Sequence, residues 1–449
     1  MMDTLDTLTG KLTWLLWDKK QGGHRLNELR LLQQQERCTP AMIRSLQTEK
    51  LTRLLGHAWH SSAWYRDIME SVGLLPGQEI QLEDLQKFPV TTKSDIREHT
   101  DRFISSDYPR SSLCKAKTGG STGVSLDLYF DERCQQKRNA AQAWADTFAG
   151  WEPGARVAAV WGNPPVARTA KQKLRSALLE RTIYLDTMHL DPASMTAFVQ
   201  RWREHKPRVV FGHAHSIYLF AKFLLEKGID DLRPKGVVTT SMMLLEHERA
   251  VIEQALGVAV TNRYGCEETG LIAVECEKHQ GMHVNSSHVI LECLDDAGHP
   301  VAPGEPGKLV VTDLNNFGMP LIRYRIEDVG VLSDRRCACG RHGPMLERLE
   351  GRVADFLKKK DGGQVAGVSL VERTLTHIPG IQQMQLVQES LDTLIVNRVR
   401  AAEYQADTDT ALTAELHRVF GSEVQIDIRD VTKIPQEKSG KYRFSICKI

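Results

Sequence analysis

Thr118-Gly119-Gly120-Ser121-Thr122-Gly123 stands just ahead of a strand-like run, Leu126 to Phe130. Glycines let a backbone approach a ligand closely, and the amides of this stretch with its three hydroxyls can cradle a phosphate chain. No Gly-Lys-Ser/Thr ending follows, so it is not a Walker loop. Alone, a turn of this composition is more often an ordinary loop, and its meaning depends on its surroundings. Downstream, short apolar runs alternate with amphipathic stretches. Arg156 to Trp161, Thr182 to Leu185, Arg208 to Phe211, Gly236 to Thr240 and Val258 to Thr261 read as strands, with helices near 133–148, 192–205, 216–227 and 245–255. That alternation predicts an α/β fold built on a mostly parallel sheet covered by helices.

Upstream, residues 1–105 are rich in Leu, Gln, Arg and Glu and suit a helical lead-in packed on a larger body, one element ending at Phe88-Pro89. From 284 to 345 the texture turns β-rich, with turns at Asp296-Ala297-Gly298 and Pro303-Gly304-Glu305, which predicts a smaller antiparallel unit. The charged, glycine-containing stretch from Glu350-Gly351-Arg352 to Asp361-Gly362-Gly363 is the expected hinge, dividing an N-terminal domain, 1–351, from a C-terminal domain, 352–449.

Basic and acidic residues number 58 and 57, so no global field recruits nucleic acid or an anionic membrane. Leu12 to Trp17 is too short for a signal peptide, and no stretch is long enough to span a bilayer, so the expected location is cytoplasmic. In a reducing compartment the nine cysteines point to metal binding or burial rather than disulfides.

Further motifs follow in order: Tyr264-Gly265-Cys266-Glu267-Glu268, Ile322-Arg323-Tyr324-Arg325-Ile326-Glu327-Asp328, Glu350-Gly351-Arg352 and Ser439-Gly440-Lys441. With Thr118 to Gly123 they make the chain resemble the adenylate-forming superfamily of acyl-CoA synthetases, in its phenylacetate-CoA ligase and capsule-biosynthesis branch. The likeness runs from about residue 60 to 445. It implies a large domain holding ATP and a carboxylic acid, and a small domain that swings to complete each half-reaction. The implied reaction forms acyl-AMP and pyrophosphate, then transfers the acyl group, most naturally to coenzyme A. An amine, hydroxyl or carrier-protein thiol as acceptor, the free adenylate as product, or a degenerate nucleotide-binding homologue remain alternatives.

The resemblance also assigns roles. Glu268 would hold Mg²⁺ through a hard oxygen, Asp328 would accept both ribose hydroxyls, and Arg352 would reach ribose or phosphates. Tyr264, Gly265, Ser241 and Met242 would border the nucleotide. Lys441 would neutralise the α-phosphate in the transition state, with Lys438 in reserve. Without the surrounding motifs, paired glutamates read as a solvated turn and Arg323 to Asp328 as an exposed ion-pair ladder. Three positions depart from the family pattern: Glu267 replaces a Thr or Ser, Thr240-Ser241-Met242-Met243 replaces the adenine-bordering Gly/Ala-Glu element, and Ala354 with Asp355 alters the hinge.

Cys276, His283, Cys337 and Cys339 supply one nitrogen and three thiolates, the composition of a closed structural zinc site. His279 could replace His283, and Cys293 or His342 could contribute. Cys114, Cys134, Cys266 and Cys447 read as packing residues. Walls for the acid come from Trp161, Phe211, His213 and His215, whose imidazoles could pair an acidic group, although core histidines are commoner. The N-terminal helices could form a homodimer contact or cover the main domain.

Overall fold

A computed structural model describes residues 2–20, 22–75, 77–117, 126–162, 169–170, 176–350, 356–434 and 444–449. A short antiparallel hairpin of β1 (Cys114–Lys117) and β2 (Asp127–Phe130) precedes the main sheet. Five parallel strands follow: β3 (Val157–Trp161), β4 (Thr182–Asp186), β5 (Val209–His213), β6 (Gly236–Thr240) and β7 (Val260–Cys266). Their order is β4-β3-β5-β6-β7. The intervening helices start where the sequence supplies caps. Asp131 accepts the Cys134 amide at 2.9 Å to open the helix Glu132–Thr147, and Asp191, followed by Pro192, accepts the Ser194 amide at 2.8 Å to open Pro192–His205.

The predicted strands and helices of this half are present within a few residues. The antiparallel part differs from expectation in being continuous with the parallel sheet and not a separate unit. β7 pairs antiparallel with β8 (Gly270–Glu275). Then β9 (Met282–Val284), β10 (Val289–Leu294), β11 (Pro306–Asp313), β12 (Tyr324–Ser333) and β13 (Met345–Glu350) extend it in the order β8-β9-β13-β12-β11-β10. Every residue of β8 is buried, so the strand carries no inside-outside alternation to announce it.

Helices of the lead-in cover this body. Leu51, Leu54, Leu55 and Ala58 share a core with Ile322 and Tyr324, while Leu29 and Leu32 pack on Ala140, Ala141 and Trp144. No helix among the described residues is long and apolar enough to cross a membrane.

After a hairpin, β14 (Phe356–Lys358) with β15 (Gln364–Ala366), a second sheet forms from β16 (Ile381–Gln388), β17 (Thr393–Arg400), β18 (Gln425–Asp430) and β19 (Ser445–Cys447), in the order β18-β17-β16-β19. It packs on the helices Gly367–His377 and Ala406–Phe420 around its own core, which includes Leu386, Val396, Leu412 and Leu416. Met188, from the segment after β4, is buried in that same core. The last sheet therefore rests against the carboxyl end of the parallel strands, the edge where open α/β sheets bind ligands.

Gly212 in β5 lies so close to β3 that an added Cβ would sit 2.3 Å from the Val160 carbonyl oxygen. Gly212→Ala should cost about 2 kcal/mol through backbone displacement, read as a lower denaturant midpoint. An unchanged midpoint would show that the two strands separate freely.

Candidate active site

Glu268 lies in the turn between β7 and β8, at the carboxyl edge of the parallel strands, and is only 4% exposed. Its Oε1 accepts the Tyr324 hydroxyl at 2.8 Å and lies 3.3 Å from the Lys93 ammonium. Burying a carboxylate is costly unless it is paired and hydrogen-bonded, and this one is both. Arg138 fixes the turn from below, donating to the Glu267 carbonyl at 2.6 Å and the Glu268 carbonyl at 3.4 Å while its guanidinium lies 4.0 Å from the Phe130 ring centroid. Burial raises the Cys266 thiol, which contacts the Thr269 hydroxyl at 3.3 Å, so it is a packing residue and not a nucleophile.

Lys93 and Arg138 lie outside the sequence motifs, and Tyr324 lies within one that assigns it no role. Lys93 opens the helix Lys93–Glu98, where Thr92 and Asp95 form a capping box. The preceding Thr91 bridges to Tyr324, its amide donating to the Arg323 carbonyl and its carbonyl accepting the Arg325 amide, each at 2.9 Å. The Thr-x-x-Asp pattern is the signal that could have marked Lys93 as a fixed position.

Asp328 is buried and accepts the Tyr264 hydroxyl at 2.8 Å. An exposed ion-pair ladder at 323–328 is ruled out by Arg323, which is 3% exposed and meets Glu292 at 3.1 Å and the Phe88 carbonyl at 2.7 Å. Gly265 is required by its neighbour strand, since a Cβ there would lie 2.4 Å from the Gly270 carbonyl oxygen. Ser241 takes a left-handed conformation, φ 64°, after β6, and Met242 packs between the parallel-sheet core and the C-terminal core. Thr118, Gly119, Gly120, Ser121, Thr122, Gly123, Arg352, Ala354, Asp355, Lys438 and Lys441 lie outside the described residues.

Three of the four candidate acid-pocket residues meet at the ends of β3 and β5. Trp161 stacks on Phe211 with centroids 5.1 Å apart and tilts over His213 at 4.1 Å. Arg263 covers the other ring, its guanidinium 4.5 Å from Phe211 and 2.7 Å from Asp146. His215 does not join the stack, because its Nδ1 bonds the buried carboxylate of Glu248 and its ring tilts toward Tyr218. Burial pulls the His213 imidazole down to about 4. A histidine depressed in the folded state favours the fold while neutral, so this contribution is complete above the unfolded value of 6.5 and is lost as pH falls toward 4. Between pH 7 and pH 5 the loss should be about 2 kcal/mol. Denaturant titrations at both values should show a smaller drop for His213→Asn than for the unsubstituted chain.

A second cluster sits beyond β8. The ligand atoms of Cys276, His283, Cys337 and Cys339 all lie within 4.8 Å of one another. The Sγ atoms of Cys276 and Cys337 are 3.6 Å apart, and Cys339 Sγ is 3.3 Å from His283 Nε2. The amides of Lys278 and Arg341 donate to Cys276 and Cys339 sulfur at 3.4 Å. His279 instead bonds Glu275 at 3.3 Å, Cys293 faces the Gly330 carbonyl at 3.3 Å, and His342 lies outside the group, so none of the three replaces a member.

Comparison with known proteins agrees with this geometry. Residues 357–448 match the family described as the CapK C-terminal domain. Protein CapK of Staphylococcus aureus is 25% identical over 411 residues, 90% of this chain and 89% of CapK. A phenylacetate-coenzyme A ligase of Thermus thermophilus is 26% identical over 322 residues, 70% of this chain and 71% of that protein. Among solved structures, 2-hydroxyisobutyryl-CoA ligase with 2-HIB-AMP and CoA in its thioesterification state superposes with a TM-score of 0.63 at 19% identity, covering 92% of each chain. Its open conformation gives a TM-score of 0.60 at 20% identity, covering 92% of this chain and 93% of that one. The chain is thus similar in sequence to CapK and the phenylacetate-coenzyme A ligases, shares the fold of 2-hydroxyisobutyryl-CoA ligase, and matches the CapK C-terminal domain over residues 357–448.

Proposed function

We propose that this protein is an AMP-forming ligase that activates a carboxylic acid with ATP and passes the acyl group to coenzyme A. The observation that carries this reading is the buried Glu268, held by Lys93 and Tyr324 at the sheet edge beside the Tyr264–Asp328 pair. The names of the phenylacetate-coenzyme A ligase relatives, and the acyl-AMP and CoA held by the 2-hydroxyisobutyryl-CoA ligase structures, point the same way.

In the first step the substrate carboxylate attacks the α-phosphorus of ATP, the bond to the bridging oxygen breaks, and pyrophosphate leaves. In the second, the coenzyme thiol attacks the acyl carbon, loses its proton, and AMP departs. Thr118 to Gly123 cradle the phosphates with backbone amides and hydroxyls. Asp328, oriented by Tyr264, accepts the ribose hydroxyls with Arg352 alongside, and Ser241 and Met242 border adenine. Lys441 neutralises the charge that develops on the α-phosphate. Glu268, a buried hard-oxygen donor, would hold Mg²⁺, which when bound screens the phosphate charge. With the domains divided at 351/352, Lys441 would belong to the C-terminal one.

The stacked rings of Trp161, Phe211 and His213 would offer an aromatic or apolar acid body a wall to lie against. A histidine kept neutral by burial offers a stacking surface and not a cation, so acid recognition there rests on ring contact. Zinc would fit the cysteine-histidine group: its bonds to sulfur and nitrogen span ligand separations of about 3.5–3.8 Å, near the 3.6 Å of Cys276–Cys337 and the 3.3 Å of Cys339–His283 in a group whose atoms lie within 4.8 Å. Four protein ligands leave no position for an activated water, so the ion would stabilise the structure.

A pyrophosphate-release screen with ATP, Mg²⁺ and aromatic and aliphatic acids, with and without coenzyme A, tests the reading. Acid-dependent release stimulated by coenzyme A is expected; release indifferent to every acid would sink it. Lys441→Ala should slow adenylation at least about 100-fold while ATP binding stays nearly intact. Cys337→Ser should lose bound zinc and unfold at a lower temperature; unchanged metal content would mean the thiols are only packed.

A further inference from the structure

A cavity of about 440 Å³ opens at the base of the β1–β2 hairpin, at its Cys114–Phe130 end. Three cations line it: Arg53 from the helix Pro40–Ser61, and Arg133 and Lys137, one turn apart on the helix Glu132–Thr147. Among the described residues none of the three has a carboxylate within ion-pair distance. The two carboxylates in the wall are already engaged. Asp131 accepts the Cys134 amide at 2.9 Å and the Phe317 amide at 3.1 Å, and Glu132 accepts the Gln136 side chain at 2.6 Å.

Lys137 is the least expected of these charges. It is 7% exposed, and its ammonium donates one hydrogen bond, to Asn315 Oδ1 at 2.7 Å. An ammonium carries three donors, and burying it with a single hydrogen bond and no carboxylate in contact is unfavourable unless something polar fills the space in front of it. Burial lowers its pKa; Glu28 opposes that shift, and the fields of Arg133 and Arg53 add to it. The remaining wall is two aromatic rings, Phe317 and Tyr108, with Ser112. Phe317 lies 5.4 Å from the Arg53 guanidinium and meets His57 edge-on at 5.0 Å, with Tyr108 on the other side of that imidazole at 6.2 Å.

The wall is also pre-built. Asn316 donates to the Tyr129 carbonyl at 3.0 Å and accepts the amides of Gly318 and Met319 at 3.1 and 3.2 Å, so the loop that presents Asn315 and Phe317 is pinned to the hairpin. Gly318 seats it closely enough that a Cβ would lie 2.9 Å from the Asp131 nitrogen. Two guanidiniums at the mouth, an ammonium inside and two rings on the wall form a receptor for a doubly charged oxyanion attached to an organic body.

We propose that this cavity binds a phosphomonoester, the phosphate meeting Arg53, Arg133 and Lys137 and the body lying against Phe317 and Tyr108. The site is distinct from the proposed nucleotide site but shares a helix with it. Arg133 and Lys137 face the cavity, while Arg138 on the adjoining face grips the Glu267–Glu268 turn. The assignment does not depend on which reaction the chain catalyses, because it rests on charge and shape alone.

Calorimetric titration with 3′,5′-adenosine bisphosphate and with inorganic phosphate, the nucleotide site being saturated with a non-hydrolysable ATP analogue, tests it. Binding of the bisphosphate should weaken at least about tenfold in Arg53→Gln/Arg133→Gln, whose exposed positions leave the fold intact, and in Lys137→Met. Coenzyme A and dephospho-coenzyme A then separate the sources. If only coenzyme A loses affinity in the double variant, the phosphate is the coenzyme's 3′-phosphate; if neither does while the bisphosphate does, it belongs to a free organic phosphate. Failure of the unsubstituted chain to bind either probe, or equal affinity in the double variant, overturns the proposal.

Discussion

A buried guanidinium organises the region on which the site depends. Arg323 sits at φ 52°, a conformation that bulky residues avoid, with only 3% of its surface exposed. It persists because its donors are taken up: Glu292 at 3.1 Å, and the carbonyls of Phe88, Gln86 and Gly298 at 2.7, 3.4 and 3.3 Å. These partners come from two stretches far apart in the chain, 86–88 and 292–298, so one cation fixes the lead-in against the antiparallel half of the sheet. Thr91 then pairs with Tyr324, and Lys93 and Tyr324 converge on Glu268. Removing one partner of a buried ion pair generally costs about 3–5 kcal/mol. Here the loss would also free the segment that delivers the lysine.

The legibility of the sequence follows the same physics. Parallel strands buried on both faces appear as short apolar runs between amphipathic helices, and β3 to β7 are readable for that reason. β8 and β9 are short, wholly buried and flanked by polar turns, so their apolar character suits strand and core helix equally. The cysteine-histidine set could be chosen from spacing because metal ligands must be particular residue types. His213 and His215 could not be told apart, since only the turn from strand β5 into the following helix sends one toward Trp161 and the other toward Glu248. Lys93 was invisible as a functional candidate because its partner lies 175 positions away, and no local periodicity records a contact of that range.

The cysteine-histidine group can be understood through what its members terminate. Cys276 follows β8, His283 lies in β9, and Cys337 and Cys339 follow β12. β8 begins just after the Glu268 turn, and β12 carries both Tyr324, which holds Glu268, and Asp328, which is held by Tyr264 of β7. The two strands are not neighbours in the sheet; β9 and β13 lie between them. A metal held at their far ends would therefore limit shear across strands that backbone hydrogen bonds alone would let slide. A carboxylate and its hydroxyl partner approaching from separate strands must hold their distance to a few tenths of an ångström, and four ligands drawn to one centre can enforce that without touching the chemistry.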